Sequence, residues 1–354
     1  MNKPIRVMIV DDSAVVRAAF SEILKADPAL SVLDMAVDPI FAMNKMTKEW
    51  PDVIVLDVDM PRMDGLTFLR KIMAERPTPT VICSSLAEKG SDLAFQAAEL
   101  GAVEIIAKPK IGMKDFFTES AEMFREVIKA AAGADMRKVT ALLRPDSQTI
   151  PLPPIGKRRD SPDGKKYIVM GASTGGTRAL EVILTALPEN TPGIAIVQHM
   201  PEGFTRKFAE RLDKKSALNV REAQDGDELR EGVCLIAPGN HHLQLREYKG
   251  KVIAEVRSGP RVNLHRPSVD VLFRSAARIL GSAAVGVLLT GMGADGAAGM
   301  LEMKQNGARN IVQDEETSIV YGMPRSAWER GAAHASLPLQ KIPGAILNAS
   351  GFTQ

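Results

Sequence analysis

The sequence predicts an α/β protein: two doubly wound parallel-sheet domains joined by a polar, proline-rich linker. Three observations carry this. In the first third, short apolar runs ended by turn residues alternate with segments of helical spacing, the pattern of a parallel sheet covered by helices. From Arg137 to Lys166 that texture gives way to RKVTALLRPDSQTIPLPPIGKRRDSPDGKK, with five prolines and eight lysines or arginines. Such a stretch lacks amide donors and carries charges that are costly to bury, so it reads as a semi-extended tether. Beyond it the alternation resumes. The expected domains are residues 1–132 and 166–354, with 133–165 as linker.

A chain of 354 residues is long enough for two cores, and 45% hydrophobic with 25% charged residues is ordinary for a globular protein. A net charge of +2 does not point to nucleic acid or a membrane surface as partner. Cys83 and Cys234 each sit in an apolar run without C-x-x-C spacing, which argues against a disulfide scaffold or a thiolate metal site and suits a reducing compartment. The apolar stretch in MNKPIRVMIVDD is too short for a signal peptide, and no later run approaches a membrane span. We therefore expect a cytoplasmic protein with no direct membrane insertion.

In order along the first domain, Ile5–Val10, Val32–Ala36, Val53–Leu56, Thr80–Cys83 and Val103–Ile106 read as strands, and Val15–Lys25, Leu66–Glu75 and Asp92–Leu100 as helices. Chemistry-bearing residues stand at the strand ends: Asp11 and Asp12 after the first, Asp57 after the third, Ser84 after the fourth, Lys108 after the fifth. Ligands of an open parallel sheet bind at the carboxyl ends of its strands, so these residues converge on one edge. Three gathered carboxylates repel one another unless a cation neutralises them, and Mg²⁺, a hard ion that takes carboxylates and phosphate oxygens, meets that need. Asp57 would then attack a phosphoryl donor, with Lys108 and the Ser84 hydroxyl contacting the phosphoryl oxygens.

The pattern VDDS, VLDVDMPRMDG, SS and KP resembles the receiver domains of two-component response regulators over roughly residues 3 to 130. The resemblance implies Asp57 as phosphoacceptor, Asp11 and Asp12 as the metal-binding acids, and Ser84 and Lys108 as switch residues. Ile105 stands where receivers often carry an aromatic residue, three positions before that lysine, and here the sequence departs from the family's pattern.

In the second domain, Tyr167–Gly171, Ile194–His199, Val233–Ala237 and Val285–Thr290 read as strands, and Thr177–Leu187, Phe204–Asp213, Val269–Leu280 and Gly296–Asn306 as helices. His242–Glu247 and Val252–Val256 flank Gly250 as a hairpin. The run YIVMGASTGG breaks from a strand into a glycine-rich turn around Ser173. Alone it fits two chemistries: a nucleophile elbow that exposes a serine hydroxyl, or a loose phosphate-binding loop. His199 and Asp295 follow two other strands, so three strand ends deliver the set that acyl transfer requires. The order Ser, His, Asp differs from that of α/β-hydrolases. A dinucleotide site would need an acid about twenty residues beyond the loop, where only Glu189 is available. A DNA-reading output would need a basic recognition helix. The other histidines, His241, His242, His265 and His334, lack metalloprotease spacing and read as structural or surface groups.

GASTGGTRAL, VQHMPEGFTRKFAERLD, APGNHH, LLTGMGADGAAGM and QDEETSIVYGMPRSA resemble the catalytic domain of the chemotaxis-receptor protein-glutamate methylesterases over roughly residues 166 to 350, and the receiver in front completes that family's domain order. The resemblance implies Ser173 as nucleophile, His199 as general base and acid, Asp295 as its orienting acid, the Met292 amide at the oxyanion and Thr174 beside the nucleophile. It implies glutamate γ-methyl esters on chemoreceptor cytoplasmic domains as substrate, with deamidation of receptor glutamines as a second activity. It further implies a chemotaxis histidine kinase as phosphodonor, activation by phosphorylation, and no cofactor for the esterase beyond the receiver's Mg²⁺.

Overall fold

The computed structural model describes residues 3–60, 64–84, 88–108, 121–143 and 166–352, divided into two compact units, Met1–Arg144 and Pro145–Gln354. The 144–165 part of the expected linker lies outside the described residues. Among the described residues, no helix is long and apolar enough to cross a membrane.

In the first unit the elements run β1 (Ile5–Val10), α1 (Ala14–Lys25), β2 (Leu30–Ala36), α2 (Pro39–Met46), β3 (Val53–Asp57), α3 (Gly65–Glu75), β4 (Thr80–Ser84), α4 (Glu88–Glu99), β5 (Glu104–Ala107), α5 (Ala121–Ala132) and α6 (Met136–Leu142). The strands form one parallel sheet in the order β2-β1-β3-β4-β5. β3 and β4 are buried along their whole length, as continuous apolar runs between two helical layers must be. The helices start where side chains take the orphan amides of the first turn: Ser13 accepts from Val16, Asp38 from Phe41 and Asp64 from Thr67. Phe20 of α1 and Phe124 of α5 stack with centroids 4.6 Å apart.

α6 corrects an expectation, because it lies inside the span assigned to the linker. Asp135 caps its N-terminus, and Val139 and Leu142 are buried, so this stretch carries an apolar face that its neighbouring charges concealed.

In the second unit the order is β6 (Tyr167–Ala172), α7 (Gly176–Ala186), β7 (Ile194–Gln198), α8 (Phe204–Asp213), β8 (Asn219–Glu222), β9 (Val233–Ile236), β10 (His242–Tyr248), β11 (Lys251–Arg257), α9 (Val269–Leu280), β12 (Ala284–Leu288), α10 (Ala297–Gln305), β13 (Arg309–Gln313), α11 (Met323–Glu329), β14 (Ala335–Leu337) and α12 (Ile342–Ala349). Seven parallel strands align as β14-β13-β12-β6-β7-β9-β8, and β10 and β11 form a separate antiparallel hairpin. The strand order reverses between β12 and β6, so the loops at their carboxyl ends diverge and open a crevice. The core packs the inner residues of β6, β7 and β9 against Leu272 and Phe273 of α9 and Met300 and Met303 of α10.

Candidate active site

Three loops meet at that crevice. Ser173 follows β6, His199 follows β7, and Met292 and Asp295 follow β12. Pairing of Ala172 with Gln198 and of Leu288 with Gly171 brings the three strand ends level. The elbow at Ser173 is pinned through its backbone: its N–H donates to Thr290 O at 3.0 Å, and its carbonyl accepts from Gly176 N and from the buried Gln198 Nε2 at 3.0 Å. Gly175 takes the left-handed conformation, φ 79°, and starts α7 directly behind the serine. Gly291 must lack a side chain, since a Cβ there would lie 2.6 Å from Ser173 Cβ.

His199 Nε2 lies 2.8 Å from Asp295 Oδ2, and both side chains are buried. That contact places the ring proton on Nε2 and leaves Nδ1 buried and without a partner. Ser173 and His199 are not hydrogen-bonded to each other, and the serine is buried. Among the described residues no backbone carbonyl accepts from the N–H of Thr174, next after Ser173, or from that of Met292, between Gly291 and Gly293.

Asp295 is held from several sides. Ser268 Oγ and Asn263 Nδ2 each donate to its Oδ1 at 2.8 Å, while Val269 N and Asp270 N, the first amides of α9, donate at 2.7 and 3.2 Å. Burial works to raise the pKa of this carboxyl, but the donors His199, Asn263 and Ser268 outweigh it and hold the group well below the usual carboxylate range. The helix that Asp295 serves is therefore α9, not the one that follows it in sequence; α10 is capped by Gly296, and its third residue, Gly299, donates to Asp270 Oδ1.

The other predicted residues gather on the first unit's sheet. Ligand atoms of Asp11, Asp12 and Asp57 lie within 4.8 Å of one another. Lys108 Nζ reaches Asp57 Oδ2 at 2.6 Å and Asp11 Oδ2 at 3.1 Å. Burial raises the carboxyls of Asp11 and Asp57, and repulsion from Asp57 at the first and from Asp12 at the second adds to it against the pull of Lys108. Lys108 is raised in turn: burial would lower it, and Asp57 and Asp11 more than reverse that. One ammonium does not neutralise three carboxylates, so the oxygen set fits a divalent hard cation. Ser84 is buried at the end of β4, and its carbonyl accepts Lys108 N at 2.8 Å. Ile105 is buried in β5.

Sequence reasoning missed Gln198, which fastens the elbow, and two groups in the turn before α9. Asn263 Nδ2 bridges Asp295 and Asp270, and the His265 ring stacks on His199. No periodicity marks such a turn; only the polar residues interleaved in RVNLHRPS could have drawn attention.

An acid cluster on one parallel sheet and a serine, histidine and aspartate on another place the chain in the class of response regulators with an enzymatic output. A family model described as CheB methylesterase matches residues 168–346, and one described as response regulator receiver domain matches residues 7–121. The chain is 51% identical to protein-glutamate methylesterase/protein-glutamine glutaminase 2 of Shewanella denitrificans, over 96% of this chain and 98% of that one. It is 51% identical to the protein of the same name from Rhodospirillum rubrum, over 99% of both. The crystal structure of the Thermotoga maritima CheB methylesterase catalytic domain matches with a TM-score of 0.51 at 45% identity, covering 52% of this chain and 98% of that one. The chain belongs to the CheB methylesterase family.

Proposed function

We propose that this protein is a phosphorylation-activated serine esterase that hydrolyses glutamate γ-methyl esters on the cytoplasmic domains of chemoreceptors and deamidates receptor glutamines, acting in the cytoplasm. The observation that carries the chemistry is the buried His199–Asp295 pair, with Nδ1 unpartnered, at the strand ends that also deliver Ser173. Ser173 Oγ attacks the ester carbonyl as His199 Nδ1 takes its proton. Asp295 stabilises the imidazolium through Nε2–H, and the developing oxyanion is received by main-chain N–H groups, that of Met292 first and Thr174 beside the nucleophile. Such a donor contributes about 2.7–4 kcal/mol to lowering the barrier. Methoxide is a poor leaving group, so His199 returns the proton as the C–O bond breaks and methanol departs. Water, activated by the same imidazole, then releases the glutamate. With a glutamine substrate the identical sequence expels ammonia.

In the receiver, Asp57 accepts the phosphoryl group from a chemotaxis histidine kinase. Asp11, Asp12 and Asp57 would hold the Mg²⁺ that neutralises charge during transfer, and Lys108 and Ser84 would contact the phosphoryl oxygens. The test is methanol release from a methylated receptor domain. Ser173→Ala should abolish it while leaving phosphorylation at Asp57 intact, since the two sites lie on separate sheets; more than a trace of remaining esterase activity overturns the assignment.

A further inference from the structure

The turn Val262–His265 is a two-residue hairpin loop. Val262 and His265 exchange both backbone hydrogen bonds, at 3.0 and 2.9 Å, so only Asn263 and Leu264 close it. Both take left-handed backbone conformations, φ 51° and 68°, as so short a loop requires, and Leu264 does so although it is a bulky residue, 42% exposed. Left-handed backbone at a branched apolar residue is strained and persists where surrounding contacts over-determine it. Here the strain delivers two side chains to one place. Asn263 Nδ2 donates at 2.8 Å to Asp295 and to Asp270, and the His265 ring lies face to face on His199, centroids 3.6 Å apart and planes within 9°.

We propose that His265 is a positioning residue for the general base: its ring covers one face of His199 and holds the imidazole in the plane that joins Nε2 to Asp295 and aims Nδ1 at Ser173. The proposal rests on the catalytic reading of Ser173, His199 and Asp295 given above. Directly overlaid neutral rings gain little from their quadrupoles, but a neutral ring over a cationic one is attractive. The stack therefore strengthens when His199 takes the serine proton. His265 can play the neutral partner because burial foremost, and then the charges of His199 and Arg261, lower its pKa to about 3 against the opposing pull of Asp295.

The experiment compares His265→Ala and His265→Phe in the full chain by steady-state kinetics and by proton NMR. The NMR readout is the low-field resonance of the His199 Nε2–H held against Asp295, a signal that does not need turnover. His265→Ala should lower kcat by between about tenfold and a hundredfold with little change in KM, and should broaden the resonance away. His265→Phe, which keeps a ring face, should restore most of both. Parental kcat and a sharp resonance in His265→Ala would overturn the proposal. So would a phenylalanine variant as slow as the alanine one with the resonance intact in both, since the role would then lie in the His265 nitrogens. If His265→Ala does not fold, a folded His265→Phe with the resonance supports the stack and one without it rejects it. Failure of the catalytic reading shows separately, as esterase activity surviving in Ser173→Ala.

Discussion

Asp295 illustrates how one buried carboxylate is kept charged. It accepts hydrogen bonds from Asn263, Ser268 and the first amides of α9 besides the one from His199. An amide in its place would turn an NH₂ group toward donors and could not stabilise the imidazolium. Asp295→Asn should therefore cut kcat by roughly 10³–10⁴-fold while circular dichroism shows a folded chain. His265 acts on stability with the opposite sign. Its folded pKa, about 3, lies below the unfolded value of about 6.5. The unfolded chain thus takes up a proton that the folded one refuses, and stability is lost as pH falls below about 6.5. His334, also lowered, chiefly by burial, adds to the same slope. Asp295, with a depressed folded pKa, gives stability that is full above its unfolded value of about 3.9 and lost only below it. Calorimetry between pH 7 and 5 should show the catalytic unit's transition falling with acidification, and less steeply in His265→Phe; an equal slope in both would contradict the pKa assigned to His265. Ser173, His199 and Asp295 were legible because each follows an apolar strand. His265 and Asn263 were not, because ring stacking and an amide bridge leave no repeat in the sequence.

At the scale of elements, most strands of both sheets could be read because burial on two faces demands unbroken apolar runs. β8, β13 and β14 escaped for a physical reason. β13 reads RNIVQ, yet Asn310 and Gln313 are buried in it. Asn310 Nδ2 donates to Met300 O and Ala332 O, and Gln313 bonds the Thr290 amide and Thr317 O, so polar residues serve as brackets where apolar ones were expected. β8 is polar at the sheet's outer edge, and β14 has only three residues. The β12–α10 connection was legible through its glycines, and Gly291 supplies the test. A methyl group there would stand 2.6 Å from Ser173 Cβ, so either the elbow or the connection must shift. Gly291→Ala should destabilise the catalytic unit by about 1–3 kcal/mol and lower kcat about a hundredfold through displacement of Ser173. Unchanged labelling of Ser173 by a fluorophosphonate probe in that variant would show that the close approach is not needed.

For the whole molecule, the two candidate sites lie on separate sheets, so the proposed activation by phosphorylation would act by shifting an equilibrium that couples the two units. A receiver that restrains the catalytic unit by about 2–3 kcal/mol would leave a few per cent of molecules or fewer active at rest, and the reciprocal of that fraction caps the activation phosphorylation can produce. The catalytic domain of the Thermotoga maritima relative, 98% of which aligns with this chain, crystallised as a domain by itself, so a fragment beginning near Lys165 should fold alone. Three species then separate the possibilities in one methanol-release assay run with a small-molecule phosphodonor and Mg²⁺. The fragment should exceed the resting full chain and ignore the phosphodonor. The full chain should rise on its addition, and chelation of Mg²⁺ should abolish the rise, because the carboxylates that burial and mutual repulsion raise need a cation before Asp57 can react. Asp57→Asn should stay at the resting rate throughout. A folded fragment slower than the resting chain would reverse the sign of the coupling: the receiver would then promote catalysis, as an activator or by bringing the substrate to the catalytic unit.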